Sequence, residues 1–272
     1  VCEILEIELD EAALEGASCT GAGVLQEKNE KLGDTLNART FAMAEKSGLP
    51  LMTICSTCQG VMAQANERLT SDSDYLESIN EVLREEGLEY KGTIEPKHLL
   101  WVIAEDLGID FLKSKIVRTL DGMKLAPFYG CYIVRPSKAL GLDVNPDRKQ
   151  ALEEVIEAVG GEVADFPGKT LCCGFPILTI NPENSLKMVS NHTLDAKRNG
   201  ADAMVTPCPL CHLNLDGYQP KAAASVKQDI DLPIIHLPQL VGLALGIKPE
   251  DMRLNKHIVS TKKLLSELAV SP

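Results

Sequence analysis

Nine cysteines, at positions 2, 19, 55, 58, 131, 172, 173, 208 and 211, are the residues of this 272-residue chain best suited to chemistry. Grouped thiolates bind zinc, cycle through a redox disulfide, or hold an iron–sulfur cluster. Cys208-Pro-Leu-Cys211 is a CxxC pair that follows Cys172-Cys173-Gly174, with 34 residues between Cys173 and Cys208. Cys55-Ser-Thr-Cys58 is a second such pair that follows Cys19-Thr20-Gly21, with 34 residues between Thr20 and Cys55. One offset of 153 residues relates the two sets, so the chain carries an internal repeat. Thr40 with Thr193 and Thr53 with Thr206 obey the same offset, Gly48 falls near Gly200, and Val1–Leu5 resembles Val155–Val159. A single CxxC is a weak signal; the doubled spacing is a strong one.

The second half offers five thiols: Cys131, Cys172, Cys173, Cys208 and Cys211. Zinc closes its shell with four ligands, and an ordinary 4Fe–4S cube also takes four. Adjacent residues of an extended chain point to opposite faces, so Cys172 and Cys173 converge only if the chain turns. Gly174 permits that turn. Two neighbouring thiolates fit more easily on a larger cluster of several irons than on one small ion.

The elements that must position these residues follow from the pattern. Ala126–Gly130 reads as a strand delivering Cys131, and Lys149–Val159 has helical spacing. The segment ending at Thr170-Leu171 delivers Cys172. A helix over Asn184–Arg198 leads to the strand Ala203–Thr206 and Cys208. That order predicts a parallel sheet, with each cysteine group at the carboxyl end of a strand. In the first copy a helix is expected over Val24–Lys46 and a strand over Leu51–Ile54. Between the copies lie helical stretches at 75–86, 96–107 and 110–120, with Trp101 as a core residue. Leu232–Gly246 and a helix near Val259–Leu268 read as packing elements. The expected fold class is α/β: two tandem parallel-sheet, Rossmann-like repeats, pseudo-twofold, over 1–120 and 121–272, with a helical segment inserted.

Composition narrows the function. Lys+Arg 27 against Asp+Glu 39 leaves a formal charge of −12, which excludes a basic nucleic-acid or anionic-membrane face. Leu232–Ile247 is the longest apolar candidate, and His236, Pro238 and Gln239 break it, so no transmembrane span is expected. Nine is an odd number and no signal peptide is read, which favours a cytosolic metal protein over a disulfide framework. Neither a G-x-G-x-x-G after a strand nor a P-loop is present. The chain therefore shows no evident way to take hydride from a nicotinamide itself, so under a redox reading electrons would come from a partner.

The pattern Cys, then Cys-Cys-Gly, then CxxC, in tandem copies, resembles the CCG-domain family, best known from the HdrB component of heterodisulfide reductase. Ile235-His-Leu-Pro-Gln-Leu240 and Leu254-Asn-Lys-His-Ile-Val-Ser260 are similar to that component too. Relatives occur in succinate or fumarate:quinone reductases and in sulfur-, lactate- or glycolate-oxidising complexes. The resemblance implies that Cys131, Cys172, Cys173, Cys208 and Cys211 hold a noncubane 4Fe–4S cluster and act catalytically through it. In heterodisulfide reductase such clusters cleave a disulfide in successive one-electron steps. The first set, Cys19, Cys55 and Cys58, is degenerate, because Thr20 stands where the second adjacent cysteine belongs. Cys131 precedes Val155, the counterpart of Val1, by 24 residues, so the missing ligand is expected at or within that distance upstream of Val1. The first site then holds a second iron–sulfur cluster, a zinc, or nothing.

The resemblance further implies a cytoplasmic subunit, or one peripheral to the inner membrane face through its partners. Those partners are a ferredoxin-like iron–sulfur subunit and a flavoprotein, with a small thiol or disulfide, or a quinone, as substrate. Arg135 and Lys138, four and seven residues beyond Cys131, are candidates to receive an anionic thiol, as is His212 beside Cys211. Cys2 pairs with the apolar Ile156 and reads as a core thiol; His236 and His257 have no role derivable from sequence. From another functional class, a zinc-stabilised interaction protein remains open.

Overall fold

The computed structural model describes residues 1–268. The chain forms two compact units: Glu8–Leu99 with Tyr132–Asp147, and Val1–Ile7 with Leu100–Cys131 and the chain from Arg148 onward.

The first unit is mostly helical. Its sheet has two parallel strands of two residues each, β1 (Met52–Thr53) and β2 (Lys97–His98). Its helices are α1 (Glu30–Ser47), α2 (Ser56–Ser71) and α3 (Ser73–Leu83). The single helix expected over Val24–Lys46 is two, Val24–Lys28 and α1. Asn29 parts them: its side chain accepts the Leu32 N–H at 3.1 Å, offering the backbone a cap in place of continued helix. Phe41, Leu69, Ile79, Leu83 and Tyr90 fill the core between α1, α2 and α3. Tyr132, the residue after Cys131, packs where side chains on Gly23 and Gly60 would stand, so both positions require glycine.

The second unit carries a four-stranded, all-parallel sheet in the order β4-β3-β5-β6. Its strands are β3 (Lys124–Pro127), β4 (Glu162–Val163), β5 (Ala203–Thr206) and β6 (Ile234–His236). Leu125, Ala126, Ala203, Met204, Val205, Ile234 and Ile235 are all fully buried, as expected of parallel strands covered on both faces. The crossovers contain α4 (Ala151–Ala158), α5 (Pro182–Arg198), α6 (Pro209–Gly217) and α7 (Gln219–Val226), and α8 (Leu237–Ala244) follows β6. Trp101 is core, 1% exposed, with the Arg148 guanidinium 4.4 Å above its ring and held by Glu105 at 2.6 Å. Trp101 opens into a π-helix over Val102–Gly108 rather than the regular helix expected over 96–107.

Two expectations need correction. The sheets are small and unequal, so the repeats are not Rossmann-like: the first keeps only a two-stranded remnant beside its helices. Cys172 does not follow a strand, because β4 ends at Val163 and a 3-10 turn, Pro167–Thr170, with proline at its start, carries the chain to the cysteines.

Asp34, fully buried on α1, accepts both Arg68 Nε at 2.8 Å and Nη2 at 2.6 Å, and the Tyr75 hydroxyl at 2.9 Å. Removing one partner of a buried pair strands the other. Asp34→Asn should lower the stability of this unit by about 2–3 kcal/mol, read as a shift of its urea midpoint at constant slope. An unchanged midpoint would refute that weight.

Candidate metal centre

The sheet of the second unit has a topological switch point. β3 and β5 are neighbours, while the chain leaves them toward opposite edges, to β4 and to β6. Ligands of open parallel sheets bind outside the carboxyl ends of the strands at such a point. The loop after β3 carries Cys131 and the loop after β5 carries Cys208, so the expected placement holds for these two groups.

Each CxxC has one local geometry. Cys208 is the N-cap of α6, with φ −125° and ψ 117°, and Cys55 is the N-cap of α2, with φ −133° and ψ 119°. Cys211 and Cys58 then lie in the first turn of their helices. The preceding helices match as well: α1 begins at Asn29 and α5 at Asn181, each asparagine accepting the N–H three residues on. The repeat read from spacing is therefore a repeat of structure within each unit.

The five thiols of the second unit meet as a chain. Cys172 is in hydrogen-bonding contact with Cys131 and Cys173, Cys173 with Cys211, and Cys211 with Cys208. Cys173, Cys208 and Cys211 are buried, whereas Cys131 and Cys172 are half-buried, so the row opens toward solvent at one end. Main-chain N–H groups also face the sulfurs: Gly174 N donates to Cys172 Sγ at 3.4 Å, and Phe175 supplies a second donor to Cys173. Gly130 must be glycine, since its φ is +71° and a Cβ there would stand 2.9 Å from Cys211 Sγ.

Electrostatics explains what such a row needs. Hydrogen bonding from Cys131 and Cys173 drives the Cys172 thiol far below its ordinary range. The contact with Cys172 pushes Cys173 up, and contacts with Cys173 and Cys208, with burial, push Cys211 up. The anion is thus favoured at Cys172 and disfavoured at Cys173 and Cys211, where a further charge would meet its neighbours in a low dielectric. Several thiolates become stable together only with multivalent cations between them.

In the first unit Cys19 is exposed, Cys55 buried and Cys58 half-buried. Thr20, 2% exposed, donates its hydroxyl to Cys58 Sγ at 3.5 Å. That contact is the counterpart of Cys173 with Cys211 in the other repeat. None of the nine cysteines is in a disulfide.

The other expected residues are placed as follows. Arg135 is exposed. Lys138 is 85% exposed and pairs with Glu67 at 2.6 Å. His212 turns away from solvent onto His257, with ring centroids 4.7 Å apart, and burial lowers its pKa. His212, Asp216 and His257 bring their ligand atoms within 4.8 Å of one another, a candidate metal-binding grouping that the spacing did not reveal. Gln239 constrains it. Its Oε1 accepts the His236 N–H, and its Nε2 donates to the Met252 carbonyl, so it also donates to His257 Nε2 at 2.9 Å. The ring proton of neutral His257 then sits on Nδ1, which blocks that nitrogen as a ligand. Asp216 is engaged too, accepting the N–H groups of Ile258 and Val259.

The chain belongs to the CCG family of cysteine-rich domains, which matches residues 1–63 and 125–216. It is 38% identical, over 97% of its length and 90% of the relative's, to the 8-methylmenaquinol:fumarate reductase membrane anchor subunit of Wolinella succinogenes. It is 32% identical, over 97% of its length and 88% of the relative's, to the HdrB component of the ferredoxin/F420H2-dependent CoB-CoM heterodisulfide reductase of Methanosarcina acetivorans. A crystal structure of a hypothetical protein from Helicobacter pylori shares the fold, with a TM-score of 0.70 at 19% identity; it covers 93% of this chain, which spans half of that one. The homology to subunits of enzyme complexes gives this chain an oxidoreductase-associated role. Among the described residues no helix is long and apolar enough to cross a membrane.

Gly130→Ala should push Cys211 out of the row and cost about 2–4 kcal/mol, from overpacking together with a left-handed backbone. Thermal melting and the alkylation rate of Cys211 measure it; wild-type values for both would show that the loop yields.

Proposed function

We propose that this chain is the iron–sulfur redox subunit of a multisubunit oxidoreductase. In this reading Cys131, Cys172, Cys173, Cys208 and Cys211 hold a noncubane 4Fe–4S cluster. One observation carries it: five thiols in successive contact, one more than zinc or a cube takes, with backbone donors aimed at two of them. The bound cluster would supply one-electron redox chemistry beside an opening at Cys131 and Cys172. The overall reaction of the leading reading is RSSR′ + 2e⁻ + 2H⁺ → RSH + R′SH, or its reverse. Electrons would pass through a ferredoxin-like iron–sulfur subunit, with a flavoprotein beyond it. Of the three groups expected to receive an anionic thiol, His212 is turned onto His257 with its cation disfavoured by burial and Lys138 pairs with Glu67, so the reading keeps Arg135, exposed four residues past Cys131, as its candidate. Nine cysteines without a disulfide suit a reducing cytoplasm.

A second reading draws on the 38% identity to a quinol:fumarate reductase subunit. There the same cluster would pass on, one at a time, the two electrons that a quinol releases, with two protons going to solvent, as it becomes a quinone. The first-repeat set, Cys19, Cys55 and Cys58, would hold a different cluster or a zinc, because Thr20 contributes no thiolate.

Iron, zinc and acid-labile sulfide analysis of anaerobically purified protein, with EPR, tests the reading. Cys173→Ala should abolish the EPR signal of the second-repeat cluster, whereas Thr20→Ala should leave it intact. Colourless protein with stoichiometric zinc would overturn the cluster in favour of a zinc-stabilised interaction protein. Added thiols that perturb the oxidised spectrum support the disulfide chemistry; a response to quinone analogues alone, in the assembled complex, selects the second reading.

A further inference from the structure

Cys172 and Cys173 are consecutive, yet their sulfurs belong to one contact row. An extended chain would set them on opposite faces. Something must hold the two peptide planes in another arrangement, and the carbonyls show what does. His192, on α5, meets the Cys172 carbonyl through Nε2 at 2.9 Å. A carbonyl only accepts, so Nε2 carries the proton and donates. Asn214, on α6, donates Nδ2 to the Cys173 carbonyl at 2.7 Å. Both side chains are interior, 6% and 0% exposed.

The surroundings are cut to this arrangement. A Cβ on Gly168 would stand 2.6 Å from His192 Nδ1, so that glycine makes room for the imidazole. The Phe128 ring packs against the same imidazole at 5.1 Å. Beyond the cysteines Gly174 turns left-handed, φ +93°, and a Cβ there would meet Ser185 Oγ at 3.0 Å. Ser185 lies within 3.4 Å of Asn214 Nδ2, so the turn and the second carbonyl share one support.

We infer that His192 and Asn214 are positioning residues that pin the successive carbonyls of Cys172 and Cys173 from two helices and so turn both thiols toward one centre. The inference rests on the cluster reading for its consequence, since outer hydrogen bonds of this kind fix ligand orientation and tune the metal. It assigns a task to two residues that touch no sulfur themselves.

The test uses the full chain, prepared anaerobically, as wild type, His192→Phe, His192→Gln, Asn214→Asp and Ser190→Ala. Gln places an amide nitrogen near the lost Nε2, Asp sets an acceptor against the Cys173 carbonyl, and Ser190→Ala trims a buried hydroxyl of α5 that bonds only within its helix. His192→Phe and Asn214→Asp should lose iron to a mild chelator about tenfold faster or more, with altered EPR g-values and a shifted midpoint potential. His192→Gln should restore the wild-type spectrum, and Ser190→Ala should not depart from it. Wild-type retention, g-values and potential in both His192→Phe and Asn214→Asp would overturn the inference. Should either lose its circular dichroism, Asn214→Ser, too short to reach the carbonyl, is read in the same way.

A second readout needs no metal. In the metal-free chain, Cys173 alkylation by iodoacetamide, mapped by mass spectrometry, should rise about tenfold or more in Asn214→Asp while Cys208 is unchanged. Unchanged Cys173 labelling overturns the positioning role. A wild-type protein without iron overturns the cluster reading, and the labelling result still decides the positioning.

Discussion

The structure of the second unit depends on bringing two consecutive cysteine sulfurs to the same side of the chain. Neither helix nor strand does this, so the segment is irregular, and an irregular buried segment must have its carbonyls satisfied from outside. That requirement explains several otherwise separate features. Gly174 takes a left-handed conformation, a 3-10 turn rather than a strand leads into Cys172, and two helices reach in with polar side chains at buried positions. Once the sulfurs converge, the next constraint is charge. Neighbouring sulfurs draw the Cys172 thiol down and push Cys173 up, and the row is buried at Cys173, Cys208 and Cys211 but half-buried at Cys131 and Cys172.

The sheet supplies the rest by topology. β3 and β5 lie side by side and their successors diverge, which leaves a gap at their carboxyl ends. Cys131 and Cys208 enter from those two loops, and the first turn of α6 adds Cys211 with no further loop. A CxxC at a helix start is economical in this sense: the N-cap residue stands outside the helix, the third residue inside it, and both face the same end.

Much of this was legible in the sequence, and the reason is chemical. Grouped thiols are chemically distinctive, so the offset of 153 residues stands out as a pattern, and it marked both cysteine groupings and the structural repeat. Helix α5 and strand β5 were legible from apolar periodicity and lie within two residues of their expected bounds. In the first unit the strand expected over Leu51–Ile54 is present as β1, but its partner β2 was not legible: Lys97-His98 lies where a helix over 96–107 was expected, and two residues hold no periodicity. Asn29 hid a break because asparagine is tolerated inside helices and strongly favoured at their starts. His192 and Asn214 left no mark either: a hydrogen bond to a carbonyl has no sequence signature when donor and acceptor are 20 and 41 residues apart. Asp216 and His257, 41 residues apart in the chain, were missed for the same reason.

The two repeats separate scaffold from ligand. α2 and α6 start from cysteines with backbone angles within 10° of each other, and each follows a strand and a long asparagine-capped helix. The contact between the adjacent-cysteine position and the second CxxC cysteine survives as well, as Thr20 with Cys58 and as Cys173 with Cys211. What changes at that contact is one atom's chemistry. A threonine hydroxyl is a hard, neutral oxygen that donates its proton to sulfur, where a thiolate would instead bind a soft metal. The Thr20 hydroxyl meets Cys58 Sγ as a neutral donor, while the helix caps and the CxxC backbone around it match those of the other repeat. The carbonyl clamps are not shared: at the offset of 153 residues Arg39 and Val61 stand where His192 and Asn214 do, so the caps and the CxxC geometry are common to both repeats while the carbonyl donors accompany only the one with two adjacent cysteines.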